Sequence, residues 1–271
     1  MDDPPGNLMG QTLVGALVLD MGIQWIGWAV AVKLRTEKFY DFLGSITFIS
    51  LALGSMLLAA NYSPRQILVT TMVVLWALRL GTFLVVRILK DGQDKRFDEA
   101  KQNPFMFFVF WTIQGVWVYS TSLPFLLLNA QSDDDHNRLN WLDGAGAGVW
   151  AVGFLLETVA DYEKFVFKED PANQGRFIES GTWTYSRHPN YFGEMMLWWG
   201  ILIASSSSLS GWKLAVAFLS PVVVTVLLMF VSGVPLLEKK ADARWGDDPE
   251  YQAYKARSNV ILPLPIKVPF C

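Results

Sequence analysis

The sequence predicts an all-α polytopic membrane protein of seven transmembrane helices, with the N-terminus outside and the C-terminus cytoplasmic. Three observations predict it. Of 271 residues, 52% are hydrophobic and only 17% charged, a balance that soluble domains of this length rarely carry. Apolar windows long enough to cross a bilayer, which takes roughly 20 residues, recur along the chain. Lys and Arg then collect in alternate connections, as they must if the spans are counted correctly.

The windows run from about 8 to 32, 41 to 60, 65 to 88, 104 to 129, 144 to 167, 189 to 208 and 211 to 231. The first follows Met-Asp-Asp-Pro-Pro-Gly, acidic where a signal peptide or mitochondrial presequence is basic, so this segment is expected to be retained. The connection behind it holds Lys33, Arg35 and Lys38. The second window ends at Asn61-Tyr62-Ser63, a sequon in form, but Pro64 follows and the connection is short, which argues against glycosylation. The third carries Arg79 within the span and leads to Arg87, Lys90, Lys95, Arg96 and Lys101. The fourth leads to a loop on the other side, where the acidic run Asp133 to Asp135 reads as a solvated turn; Arg65, Arg138 and Lys213 share that outer side.

The fifth window opens on Gly-Ala-Gly-Ala-Gly, residues 144–148. This does not match the dinucleotide fingerprint and has no strand before it, so its small residues predict close helix packing. Behind it come Lys164, Lys168, Arg176 and Arg187, and beyond the seventh window Lys239, Lys240, Arg244, Lys255, Arg257 and Lys267. No repeat or low-complexity linker breaks the chain, so residues 1–271 are expected to form one membrane domain with its chemistry facing the cytoplasm.

Other classes drop out on composition. A net charge of -3 argues against a nucleic-acid partner. Cys271 is the sole cysteine, cannot pair internally and is misplaced for prenylation. His188 and His136 are too few and too far apart for a metal cluster.

Ionisable groups inside spans cost about 2.5–3.5 kcal/mol each at mid-membrane on insertion scales, which makes them functional candidates by default. Glu157, Asp161, Lys164 and Lys168 recur at spacings of four, three and four, so they share one helix face. Arg187, Asn190, Tyr191 and Glu194 mark the cytoplasmic end of the sixth window in the same way. Two readings of these charges are open. They line a binding cavity, or they form self-contained pairs that fix helix packing, such as Glu194 with Lys164 or Glu157 and Asp161 with Arg79.

The run LLETVADYEKFVFKEDPANQGRFIESGTWTYSRHPNYFGEMMLWWG, followed by FVSGVPLLEKKADARWGDDPEYQAYKARSNVILP, closely resembles the steroid 5α-reductase C-terminal-domain family, in particular a broad seven-helix branch of it. WALRLGTFLVVRILKDGQDKRFDEA and FWTIQ look like upstream signatures of the same branch, so the resemblance covers about residues 40 to 265. It implies a membrane reductase that takes NADPH from the cytosol and a lipid-like substrate from the bilayer, with residues 144–265 as the cofactor-binding half. By position in the motif, Asp161, Lys168, Asn190, Tyr191 and Glu194 resemble cofactor-clamping residues, and Arg79 and Arg187 would supply charge for the phosphates. Lys164, Arg176, Tyr185 and His188 are second choices. An endoplasmic-reticulum-type membrane follows from the resemblance in a eukaryote; a mitochondrial or bacterial inner membrane shows the same basic-side pattern and stays open.

One departure concerns the chemistry. Characterised steroid reductases resemble one another in pairing a Glu on an early helix with a Tyr one turn before an intramembrane Arg. Here the residue one turn before Arg79 is Trp76, whose indole donates a hydrogen bond but delivers no proton. Asp41 is a candidate for the missing acid and equally a helix N-cap. Asp41, Trp76 and Glu194 therefore form the candidate catalytic set. Two further readings remain. Isoprenylcysteine carboxyl methyltransferases have a similar Arg-His-Pro-x-Tyr stretch and bind S-adenosylmethionine, although paired glutamates stand where this chain has LLEKK. A catalytically silent subunit of a larger membrane complex would keep the fold, and Trp76 favours it.

Overall fold

The computed structural model describes residues 5–60, 62–131, 138–266 and 268. Asn61 of the sequon, the acidic run Asp133 to Asp135, His136, Lys267 and Cys271 lie outside them, as do residues 1–4. Among the described residues the chain is helical without a strand: α1 (Pro5–Leu34), α2 (Tyr40–Ala59), α3 (Pro64–Asp91), α4 (Pro104–Asn129), α5 (Trp141–Glu169), α6 (Pro189–Ser206), α7 (Gly211–Ala217), α8 (Leu219–Val226), α9 (Val234–Trp245) and α10 (Pro249–Arg257). A π-helical turn at Leu227–Val231 joins α8 to α9.

Among the described residues, five segments are long and apolar enough to cross a membrane: Leu8–Leu34, Tyr40–Ala59, Pro64–Asp91, Trp141–Glu169 and Gly211–Trp245. The fourth and sixth predicted windows are also helices, α4 and α6.

The helix boundaries have local causes. Ser63 caps α3 in a full capping box, its hydroxyl accepting from the Gln66 amide while the Gln66 side chain reaches back, with Pro64 at the first helical position. Asn103 caps α4 by accepting from the amides of Phe105 and Met106. The N-cap alternative for Asp41 is overturned: Phe39 occupies the cap of α2, without a side-chain bond, and the Asp41 carboxylate faces two arginines instead.

The chain divides into two compact units, residues 1–146 with 201–220 and residues 147–200 with 221–271. In the first, α1, α2, α3 and α4 pack around large aromatic side chains. Phe48, Trp76, Trp111, Phe97 and Phe107 are all but fully buried. Edge-to-face pairs order them, with Phe48 and Trp76 5.0 Å apart and Tyr40 and Trp111 4.9 Å apart; each such pair adds about 0.5–1.5 kcal/mol beyond burial.

Polar groups thread the same unit. Gln114 donates to Gln24 Oε1 and to the Tyr40 carbonyl, and Gln24 donates to Thr47 and to Asp20 Oδ1. Asp20 is fully buried within the α1 span. This intramembrane carboxylate belongs to the class of group that marks sites in membranes, yet it stood outside the predicted site.

In the second unit α5 and α6 meet through glycine; within the Gly-Ala-Gly-Ala-Gly run Gly146 is buried, while Gly144 and Gly148 are exposed. A Cβ on Gly144 or Gly148 would meet nothing within 4 Å. The close approach is one to three turns later, at Gly153, where a Cβ would lie 2.6 Å from the Gly193 carbonyl oxygen. Any side chain there forces the two backbones apart. Gly153→Val is expected to lower stability by about 1–3 kcal/mol, read as a fall in the melting temperature of the detergent-solubilised protein, while Gly148→Ala leaves it unchanged.

Candidate functional site

The second unit contains a cavity of about 290 Å³. Its wall is built from the end of α5 (Lys164, Phe167, Lys168), the connecting segment (Arg176, Phe177, Ile178, Trp183), the residues before α6 (Arg187, His188), α9 (Leu237, Glu238, Lys240, Ala241, Arg244, Trp245) and α10 (Tyr251, Tyr254).

The connecting segment is held in place by unusual backbone and by long hydrogen bonds. Gly181 sits at φ +62°, and a Cβ there would collide with the Glu163 carboxylate. That carboxylate accepts from both the amide and the hydroxyl of Thr182, so only glycine serves at 181. Trp183 is then buried, its indole donating to the Ala160 carbonyl on α5 at 3.0 Å while the Tyr254 hydroxyl donates to its own carbonyl at 2.6 Å. Trp245 donates to the Gly175 carbonyl, and Phe177 packs among Trp245, Tyr251 and Tyr254.

Charge is distributed unevenly around this aromatic box. Lys164, Lys168, Arg176, Arg187, Lys240 and Arg244 line it, against Glu238 as the acid of the lining. Glu238 is committed: Arg187 Nε donates to it at 3.0 and 3.2 Å, His188 Nε2 lies 2.9 Å away, and Lys255 lies 3.6 Å away. The ring faces are also engaged. Lys164 Nζ stands 4.3 Å over Trp183, Arg244 4.8 Å over Trp245, Lys255 5.6 Å over Tyr251 and Arg257 5.4 Å over Tyr254. The free capacity of the cavity is thus cationic.

His188 is buried, and burial pulls its pKa below the ordinary 6.5; the nearby Lys164 and Arg187 charges act the same way, against the Glu238 carboxylate. With Nε2–H directed at Glu238, Nδ1 is a buried acceptor without a hydrogen-bond partner, so a second proton has nowhere favourable to sit. The sign of the pH dependence follows. Between the depressed folded value and 6.5 the unfolded chain holds the proton and the folded chain does not, so the stability present above pH 6.5 drains away as pH falls through that window. The melting temperature is expected to drop between pH 7 and pH 5, with a shallower drop in His188→Gln.

The structure gathers part of the predicted set. Lys164, Lys168, Arg176, Arg187 and His188 line the cavity. Asp161 accepts from Asn190 at 3.0 Å, joining α5 to α6, and the Tyr191 ring stacks on His188 at 5.6 Å. Asp161, Tyr185, Asn190, Tyr191 and Glu194 are not part of the cavity wall. The Tyr185 side chain is exposed while its carbonyl accepts from Asn259, and Glu194 is half-buried one turn beyond Asn190. Lys164 Nζ lies over the Trp183 ring.

Asp41, Trp76 and Arg79 belong to the first unit. Asp41 is bound by Arg87 at 3.0 Å and by Arg96 at 3.0 Å, Trp76 is a buried core residue against Phe48, and Arg79 lies over Phe83. The sequence reading assigned no role to Glu238, Lys240, Arg244, Trp183, Trp245, Tyr251 or Tyr254. A signal existed: Glu238, Ala241 and Trp245 fall at spacings of three and four on α9, and Tyr251 and Tyr254 three apart on α10.

Residues 27–258 match the family described as protein of unknown function (DUF1295). The chain belongs to this family. DUF1295 includes steroid 5α-reductase-like proteins. A curated relative, the probable O-methyltransferase ustE of Ustilaginoidea virens, is 32% identical over 71 residues, which is 26% of this chain and 25% of that protein. The chain therefore spans about a quarter of the length of the curated relative it matches. No solved structure matches this DUF1295 chain.

Proposed function

We propose that the chain is an NADPH-dependent membrane reductase of a carbon–carbon double bond in a steroid, sterol or other unsaturated lipid. In this reading α4 and α6 also cross the bilayer, giving seven spans with the N-terminus outside and the basic connections in the cytoplasm. The observation that carries the reading is the charge of the cavity: six Lys and Arg side chains around one committed carboxylate. A pyrophosphate and a 2′-phosphate need such a surface, with Arg as bidentate donor and Lys as point charge. At about 290 Å³ the cavity stands at the small end of ligand clefts, roughly 300–1,000 Å³, and suits the phosphate-bearing part of the cofactor.

The bound nicotinamide would supply a hydride to the double bond. The residues of the chain would hold and orient it: Arg187, Lys168, Arg176, Lys240 and Arg244 would take phosphate oxygens, and the Asp161–Asn190 pair, which stands outside the cavity wall, would offer a carboxylate and an amide to hydroxyl or carboxamide groups that reach beyond it. Hydride addition also needs a conjugated carbonyl polarised by a donor. Trp76 can donate only a hydrogen bond, and the Asp41 oxygens are taken by two arginines. Of the three candidates, Glu194 is in the unit that holds the cavity, and in this reading it would carry the proton.

The match to an O-methyltransferase supports a second reading, methyl transfer from S-adenosylmethionine. The charge of the cavity speaks against it, because a sulfonium is a cation and six Lys and Arg side chains line the wall while Glu238, the acid of the lining, is held by Arg187 and His188. Equilibrium binding of NADPH, NADH and S-adenosylmethionine to the detergent-purified protein tests the choice. NADPH is expected to bind, with affinity falling as salt rises and weakened at least about tenfold by Asp161→Ala, Asn190→Ala or Lys240→Glu. Binding of S-adenosylmethionine alone would put the methyltransferase first. If none bound, the silent-subunit reading would replace both.

A further inference from the structure

We propose that Ser186 and Asn259 are positioning residues of this cavity, tying the chain beyond α10 to the loop that aims Arg187 and His188; the proposal rests on reading the cavity as the cofactor site. Neither residue lines the cavity. Both are fully buried, and neither was given a role by the sequence.

Arg187 and His188 stand immediately before α6, which begins at Pro189. Of their backbone groups the His188 carbonyl is held by α6, accepting from the Phe192 amide at 3.2 Å; the buried amides and the other carbonyls require partners elsewhere. The tail supplies them. The Asn259 amide donates to the Tyr185 carbonyl at 2.9 Å, and the Arg187 amide donates to the Asn259 carbonyl at 2.9 Å, so Ser186 and Asn259 form a parallel bridge. The Ser186 hydroxyl donates to the Ile261 carbonyl at 2.8 Å and accepts from the His188 amide at 3.2 Å. One oxygen thereby links the tail to the residue that contacts Glu238.

The Asn259 side chain closes the device. Its Nδ2 donates to the carbonyls of Leu264 and Ile266 at 3.1 and 3.0 Å, and Oδ1 accepts from the Val268 amide at 2.8 Å. Both amide protons and one oxygen lone pair are used in folding the tail back on itself, which fixes residue 259 against the 185–187 backbone. Arg187 gains directly, since its Nη1 donates to the Ser258 carbonyl at 3.1 Å while Nε holds Glu238. The cationic wall at this corner is therefore set by the tail as well as by the helices.

The test compares Ser186→Ala and Asn259→Asp with wild type in the full chain, using two readouts. Asn259→Asp keeps the shape and removes the two donors; Ser186→Ala is the milder change and guards against a variant that fails to fold. NMR of selectively labelled histidine follows the His188 ring, one of 2 histidines in the chain. Loosening the loop should move its midpoint up toward the ordinary value as the ring leaves its place beside Glu238, Arg187 and Lys164. NADPH affinity should weaken about tenfold, the equivalent of one to two hydrogen bonds, with helical circular dichroism retained. A merely structural role would lower the melting temperature and leave the His188 midpoint unmoved, and that result overturns the proposal. If wild type binds no NADPH, the cofactor reading fails, while the His188 midpoint still decides whether Ser186 and Asn259 position the loop.

Discussion

Arg187→Ala is expected to weaken NADPH binding about 100-fold, equivalent to about 3 kcal/mol, and Arg187→Lys to recover little of it. The guanidinium serves three places at once: Glu238 through Nε, and the carbonyls of Ser258 and Lys255 through Nη1. Its side chain is 10% exposed and that of Glu238 18%, so solvent screens the pair only weakly. Removal leaves Glu238 facing the cavity with His188 and Lys255 alone, turning a committed carboxylate into one that repels phosphate. A lysine carries the charge but not the fork, and a single ammonium cannot reach both the carboxylate and the Ser258 carbonyl. The measurement is the NADPH dissociation constant at fixed ionic strength, with circular dichroism as the control for folding. Wild-type affinity in Arg187→Ala would remove the phosphate role from this corner of the cavity.

What was legible in the sequence follows from the range of the interactions. The helices could be read because apolar length and the alternation of basic connections are properties of the local sequence. Lys164 and Lys168 could be singled out because both lie on one face of one helix. Glu238 could not: it is 50 residues from His188 in sequence, and α9 and α10 carry the composition of a solvated tail, so the cage they close is visible only once folded. The Gly153–Gly193 approach was not legible, since a lone glycine in each helix states where backbones can approach and not where a neighbour is. Asp20 was passed over as one acid in an apolar window, although its buried hydrogen bond to Gln24 is the sort of feature such windows rarely carry.

The second large effect is expected in the first unit, at a pair whose sequence positions suggested loop charges. Arg65→Ala or Asp143→Ala should each destabilise the protein by about 3–5 kcal/mol, because either change leaves an uncompensated buried charge. The side chains are 3% and 2% exposed. Arg65 Nε meets Asp143 Oδ1 at 2.6 Å and Nη2 meets Oδ2 at 2.9 Å, a two-pronged contact between the starts of α3 and α5. The remaining donors reach the Arg138 carbonyl and the Ser208 hydroxyl, and Asp143 also accepts from the Asn140 amide. Melting temperatures of the single variants in detergent measure the loss. The double variant Arg65→Met with Asp143→Leu separates two accounts of it: if the cost is the stranded charge, the double variant melts well above either single one, since an apolar pair of similar volume needs no desolvation. If it melts as low as the singles, the stability resides in the hydrogen bonds to Arg138 and Ser208, and the pair is a hub for three segments rather than a salt bridge between two.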